Sequence, residues 1–135
     1  MLKIYWRKNC MSSKQALAWL ETHRIEMTCI EISKISRYEL KDLLLLTDNG
    51  FDDVLKNRRT MNARTRAAVN SIDTMSFEEA IDYLDEHVEI LQTPIITGKK
   101  QLFVGFNESE IRQFIPSKHR KLDMIRKNNS MQAKE

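Results

Sequence analysis

The fold turns on residues 2–32, LKIYWRKNCMSSKQALAWLETHRIEMTCIEI. Leu2-Lys3-Ile4-Tyr5 alternates apolar and polar side chains and reads as a short strand. Arg7 to Cys10 reads as a loop. Ser12 or Ser13 can cap a helix running to about His23, with Ala16, Leu17, Trp19 and Leu20 on its apolar side. Met27-Thr28-Cys29-Ile30-Glu31-Ile32 reads as a second strand. Strand, helix and strand in so short a span form a βαβ unit, whose strands are expected to be parallel.

Outward from that unit the middle of the chain is helical. Ser36 followed by Glu39 is a capping box ahead of Leu40, Leu43, Leu44 and Leu46. Thr47-Asp48-Asn49-Gly50 is expected to end this helix, with Gly50 as its left-handed cap. Phe51 to Asn57 and Thr60 to Val69 read as two shorter helices, and a second capping box, Ser76 with Glu79, opens one to about His87. Then the pattern changes. Pro94-Ile95-Ile96-Thr97 and Gln101-Leu102-Phe103-Val104 are strands around a turn at Gly98, an antiparallel hairpin. Asn107 with Glu110 caps a last helix, Ile111 to Ile115, which Pro116 stops.

The order is β-α-β, helices, β-β-α. It predicts an α/β, thioredoxin-like mixed four-stranded sheet, built from residues 1–35 and 93–116, with a helical insertion at 36–92. Residues 1–116 form one domain, and 117–135 read as a basic, flexible tail.

Charge and composition narrow the function. The net charge is +3, but the last 19 residues hold six basic and two acidic side chains, so the first 116 are near neutral. A near-neutral body has no electrostatic footprint for free nucleic acid. The longest apolar run, Leu43 to Leu46, is far short of the roughly 20 residues of a membrane span. The N-terminus lacks the apolar stretch of a secretory signal. Two cysteines make no disulfide scaffold, and His23, His87 and His119 have no metal-site spacing. Three glycines leave no phosphate-binding loop. The expectation is a cytoplasmic chain with no cofactor, no metal and no membrane contact, monomeric when unbound.

Cys10 is the first candidate for chemistry. It follows a strand and precedes a helix, where free backbone N–H groups and the helix dipole favour a thiolate. The motif is Cys10-Met11-Ser12-Ser13, so Ser13 stands in the resolving position and no local disulfide can form. Such a cysteine can still form mixed disulfides. The bland reading is an inert side chain left on the scaffold. Cys29, in an alternating run, reads as a core side chain. Pro94 occupies the place of a cis-proline in a thioredoxin-like fold, against the alternative of a trans proline on an edge strand. Lys56, Arg58, Arg59, Arg64 and Arg66 form a basic run with no acid from Val54 to Ile72. It reads either as a contact patch for DNA or an acidic partner, or as a solvated helix face. Lys118, Arg120, Lys121, Arg126 and Lys127 in the tail carry the same ambiguity.

The opening strand, Cys10, the helix segment Ala16-Leu17-Ala18-Trp19-Leu20-Glu21, Thr47 to Gly50, Arg58, Thr93-Pro94-Ile95-Ile96 and the block Val104 to Arg112 resemble one family over about residues 2 to 121. It is the Spx-type regulators of the arsenate reductase (ArsC) superfamily. The resemblance implies a thioredoxin-like core with a helical insertion. It also implies a non-enzymatic transcriptional regulator that binds the C-terminal domain of the RNA polymerase α subunit and alters promoter engagement under thiol-oxidative stress. By that resemblance Asp48, Asn49, Gly50 and Arg58 lie at the interface with the α subunit. Lys56, Arg59, Arg64 and Arg66 become possible contacts to promoter DNA within the complex, which the chain would meet only indirectly.

Two departures stand out. The family commonly carries a second cysteine where this chain has Ser13. It also carries an arginine just before the proline, where this chain has Gln92-Thr93. Arginine holds an oxyanion bidentately and is always charged; threonine offers one neutral donor. Arsenate reduction is therefore not expected, and neither is an intramolecular disulfide switch at Cys10. The alternative reading is an arsenate reductase-like or monothiol glutaredoxin-like oxidoreductase using Cys10.

Overall fold

The first strand, β1 (Leu2–Trp6), sends Ile4 to one face of a sheet and Tyr5 to the other, and the rest of the chain packs on these two faces. The structure is a computed structural model that describes residues 2–57, 59 and 61–114. After β1 come α1 (Met11–Thr22), β2 (Met27–Glu31), α2 (Arg37–Leu45), α3 (Ala63–Ile72), α4 (Phe77–Glu86), β3 (Ile95–Thr97), β4 (Leu102–Val104) and α5 (Glu108–Ile111). The sheet order is β2-β1-β3-β4. β1 runs parallel to β2 and antiparallel to β3, and β3 and β4 form the antiparallel hairpin. This is the thioredoxin-like arrangement expected above, with α2, α3 and α4 inserted between its halves.

The strand period of two puts alternate residues on opposite faces, so the sheet has two cores. Ile4 and Ile96 pack with Ala16, Trp19 and Leu20 of α1 and with Ile111 of α5. Tyr5 and Ile95 pack with Leu40, Leu43, Ile81 and Leu84 of the insertion. Each fully buried Leu or Ile contributes about 1.5–3 kcal/mol of transfer free energy, so these stripes fix the insertion onto the sheet. Arg37 also pairs with Glu78 and Asp82 of α4, and Lys41 with Glu78. These pairs are half exposed and add little by comparison.

Both capping boxes form, at Ser36 with Glu39 and at Ser76 with Glu79, and Asn107 caps α5. Elsewhere the structure corrects the sequence reading. Helix α1 is capped by Cys10, with Ser12 and Ser13 inside its first turn, because Ser13 is fully buried and accepts the Arg7 N–H instead. Gly50 is left-handed, φ +69°, but is not the cap of α2, which ends at Leu45. Thr47 closes that end by donating its hydroxyl to the Leu44 carbonyl, and Gly50 opens a separate 3-10 turn, Gly50–Asp53. That turn replaces the helix expected over Phe51–Asn57. Beyond it, Leu55 pairs with Leu91 in an isolated bridge. Helix α3 is capped by Asn62 and extends to Ile72, past the expected end at Val69. Helix α5 starts at Glu108 and gives way to a 3-10 turn, Arg112–Phe114; Ile115, Pro116 and the tail lie outside the described residues. Cys29 is exposed and not a core residue. It is in register with the buried Ile4, but β2 is an outer strand of the sheet.

Candidate functional site

Cys10 sits where β1 hands over to α1, in an extended conformation with φ −105°. Its carbonyl accepts the Lys14 N–H, while its side chain makes no cap bond. Instead Sγ faces the segment before β3. The Thr93 hydroxyl donates to Cys10 Sγ at 3.2 Å, and Sγ lies 3.7 Å from the Thr93 carbonyl oxygen. Thr93 is almost fully buried, and its bond to Pro94 is cis, as the fold predicts. Partial burial pushes the Cys10 thiol up. The hydroxyls of Ser13 and Thr93 and the N–H groups of Ser13 and Ser12 more than offset it, so the thiol ionises below its ordinary value.

A residue that sequence reasoning left in a loop completes this site. The Arg7 guanidinium donates to the Val88 carbonyl at 2.6 Å and to the Leu91 carbonyl at 3.1 Å. Burial lowers its pKa, and the charges of Cys10 and Glu89 push it back up. Lys56 shares the neighbourhood. Burial and Arg7 lower its pKa, while Glu89 and Cys10 raise it. Residues 54–56 are tied to the same segment, since Lys56 N–H donates to the Ile90 carbonyl and Gln92 N–H to the Val54 carbonyl.

The second candidate is the turn at Asp48, Asn49 and Gly50. Asp48 and Asn49 are exposed, and among the described residues nothing lies within 4 Å of where a Gly50 Cβ would stand. The turn is held by Asp53, another residue missed in the sequence. Its Oδ2 accepts the N–H groups of Asp48 and Asn49, each at 2.9 Å, and its Oδ1 accepts from Asn49 Nδ2 at 3.3 Å. These bonds hold the Asp53 carboxyl below its usual range, the Asn49 N–H contributing most. The only sequence signal was an aspartate within a few residues of a glycine, which is common in turns.

The basic run is not one continuous patch. Lys56 belongs to the Cys10 site. Arg59 is exposed, its N–H bonded to Asn57 Oδ1. Arg66 donates to the Met61 carbonyl. Arg64 lines a cleft of about 590 Å³ with Ser71, Tyr83, His87 and Glu89. Arg58, expected beside Gly50, lies outside the described residues, as do Lys118, Arg120, Lys121, Arg126 and Lys127. Among the described residues no group of His, Cys, Asp or Glu is arranged to hold a metal, and no helix is long and apolar enough to cross a membrane.

The profile of the ArsC family matches residues 5–114. The chain belongs to the ArsC family. This ArsC-family chain is 34% identical over 126 residues to the global transcriptional regulator Spx of Streptococcus pneumoniae, with 92% of each chain covered. It is 32% identical over 126 residues to Spx of Bacillus subtilis, covering 92% of this chain and 94% of that one. These identities place it in the Spx branch of the ArsC family. Its fold matches a crystal structure of an ArsC family related protein from Bacteroides fragilis, with a TM-score of 0.69, 21% identity and coverage of 84% and 96% of the two chains.

Proposed function

We propose that this ArsC-family chain is a non-enzymatic transcriptional regulator of the cytoplasm. It docks on the C-terminal domain of the RNA polymerase α subunit and alters promoter engagement in a stress response. The observation that carries the reading is the Gly50 turn: left-handed, open on its outer side and clamped from within by Asp53. A turn of that kind lets a partner's backbone approach closely. Asp48 and Asn49 precede it, and the resemblance adds Arg58 to the same interface. Arg59, Arg64, Arg66 and Lys56 meet promoter DNA only within the docked complex. The Spx relatives, named as global transcriptional regulators, support the class.

The test is binding of the chain to the purified C-terminal domain of the polymerase α subunit, alongside Gly50→Arg. Binding by wild type that is lost in the variant is expected; absence of binding by wild type overturns the reading. Cys10→Ser is expected to bind as wild type does, because Ser13 removes the local disulfide. A large loss in that variant would tie docking to the thiol.

One observation favours a second reading, a thiol-dependent oxidoreductase: the lowered pKa of Cys10. In it the Cys10 thiolate attacks a sulfur of a low-molecular-weight disulfide, a mixed disulfide forms and a thiolate leaves. Steady turnover of such a disulfide with excess reducing thiol, lost in Cys10→Ser, would establish it.

A further inference from the structure

We propose that Asn49 is a site of spontaneous deamidation, through attack of the Gly50 backbone nitrogen on its side chain, and that the Asp53 carboxylate is the latch that sets the rate.

Asn49-Gly50 is the single Asn-Gly pair in the sequence. In such a pair the attacking nitrogen belongs to a residue with no side chain to hinder its approach. The surroundings leave room for the reaction. Asn49 is exposed, and among the described residues no atom stands within 4 Å of the place a Gly50 Cβ would take. The step balances with water alone. The Gly50 nitrogen forms a bond to Asn49 Cγ, the Cγ–Nδ2 bond breaks, and ammonia leaves with the proton that the attacking nitrogen gives up. The five-membered imide then takes up one water at either carbonyl and opens to aspartate or to isoaspartate.

The folded turn is not set for that attack. Asn49 has φ −115° and ψ +19°. At that ψ the Gly50 nitrogen nearly eclipses the nitrogen of Asn49 and stands away from its Cβ. The ring closes only after ψ has swung far round, and Asp53 opposes the swing. Its Oδ2 accepts the N–H groups of Asp48 and Asn49, each at 2.9 Å, which fixes the backbone. Its Oδ1 accepts from Asn49 Nδ2 at 3.3 Å, which fixes the side chain. Nδ2 is also the leaving group. An ionised carboxylate only accepts hydrogen bonds, so Asp53 cannot supply the proton with which ammonia departs. Reaction therefore waits for the turn to open locally. Afterwards the latch cannot re-form, because the Nδ2 donor is gone and a second carboxylate stands beside Asp53. Where the turn docks a partner, the new charge lies on that surface; this consequence rests on the function proposed above, whereas the chemistry does not.

The experiment incubates the folded chain in mildly alkaline buffer and follows residue 49 by mass spectrometry of the tryptic peptide 42–56, with isoaspartate identified by fragmentation. A synthetic peptide of residues 42–56 is the unlatched reference. Wild type is expected to convert at Asn49 ahead of the helix caps Asn62 and Asn107. Three hydrogen bonds hold the latch, so conversion is expected to run roughly tenfold or more slower than in the peptide. Asp53→Ser is expected to convert about three- to tenfold faster than wild type. High salt screens the Asp53 charge and leaves its hydrogen bonds, so the gap between wild type and Asp53→Ser is expected to persist there. If Asp53→Ser fails to fold, Asp53→Asn, which keeps one acceptor oxygen, takes its place with the same expectation. Wild type converting as fast as the peptide overturns the proposal, as does an Asn49 still intact long after the peptide is fully converted. A folded variant with the wild-type rate, or a gap that salt abolishes, overturns the latch.

Discussion

Thr93 donates its hydroxyl to Cys10 Sγ across 3.2 Å, although 83 positions separate the two residues. The donor is buried and immediately precedes the cis-proline. The hydroxyl gives the sulfur one neutral hydrogen bond.

Thr93→Val removes that bond with little change of shape. The alkylation midpoint of Cys10 is expected to rise, and its rate at pH 7 to fall several-fold. The sign for stability follows from linkage. The folded state lowers the thiol pKa, so stability grows as pH rises through the folded value and is complete above the unfolded value of about 8.5. It is lost as pH falls through the folded value. Thr93→Val is expected to reduce that rise in unfolding midpoint between neutral and alkaline pH. A wild-type alkylation curve would show that the hydroxyl does not stabilise the thiolate.

Gly50→Asn separates conformation from close approach. Asparagine tolerates the left-handed region, and the position is open, so the folding cost should stay within about 1 kcal/mol. The added side chain still projects from the turn. The expected outcome is a normal thermal transition with weakened binding to the C-terminal domain of the α subunit. Undiminished binding would mean that no partner backbone approaches Gly50.

Glu39 carries an acid dependence. Its Oε2 accepts the Tyr5 hydroxyl at 2.7 Å, and its Oε1 accepts the Ser36 N–H of the capping box at 3.2 Å. Burial pushes the carboxyl up. The Tyr5 and Ser36 bonds and the charge of Lys3 bring it below its ordinary value. Burial, with Glu39 beside it, raises Tyr5, which stays a neutral donor. A depressed carboxyl stabilises the fold above the unfolded value of about 4.3 and loses that effect as pH falls through the folded one. Glu39→Gln should therefore be less stable than wild type at pH 7 by about 1 kcal/mol, with the gap closing below pH 4. Denaturant melts at both pH values check this, and a constant gap would contradict it.

Trp19 is buried and stacked on His23, and among the described residues its Nε1 has no hydrogen-bond partner. An unpaired buried donor carries a desolvation cost that phenylalanine lacks. Trp19→Phe should thus cost less than about 1.5 kcal/mol, against the roughly 3–5 kcal/mol typical of Trp→Ala in a core. Equal losses for Phe and Ala in chemical denaturation would count against this account.

The parts of the fold legible in the sequence are those set by neighbours in the chain. Ser36 with Glu39, Ser76 with Glu79 and Asn107 each cap a helix through contacts three residues away. The hairpin likewise follows from its short Gly98 turn. Where tertiary contacts compete, local signals mislead. Ser13 has the chemistry of a cap, but a buried site beside Arg7 claims its oxygen. Gly50 has the conformation of a cap and serves a different turn. Cys29 alternates like a core residue but is exposed on an outer strand of the sheet. The site was half legible: Cys10 and Pro94 could be placed by order alone. Arg7, Thr93 and Asp53 act through bonds to groups that no spacing rule links to them.

β1 is an interior strand, and its two neighbours are made at very different times. β2 follows one helix later; β3 waits for the whole insertion, with Ile4 paired to Ile96. At roughly 5–20 residues per second of ribosomal synthesis, the second edge of β1 stays open on the nascent chain for about 5–20 s. During that interval the emerging βαβ unit offers an unpaired strand edge to any other chain, the exposure from which aggregation starts. The long helical insertion thus makes the folding of this sheet depend on what shields the nascent chain until residue 97 has emerged.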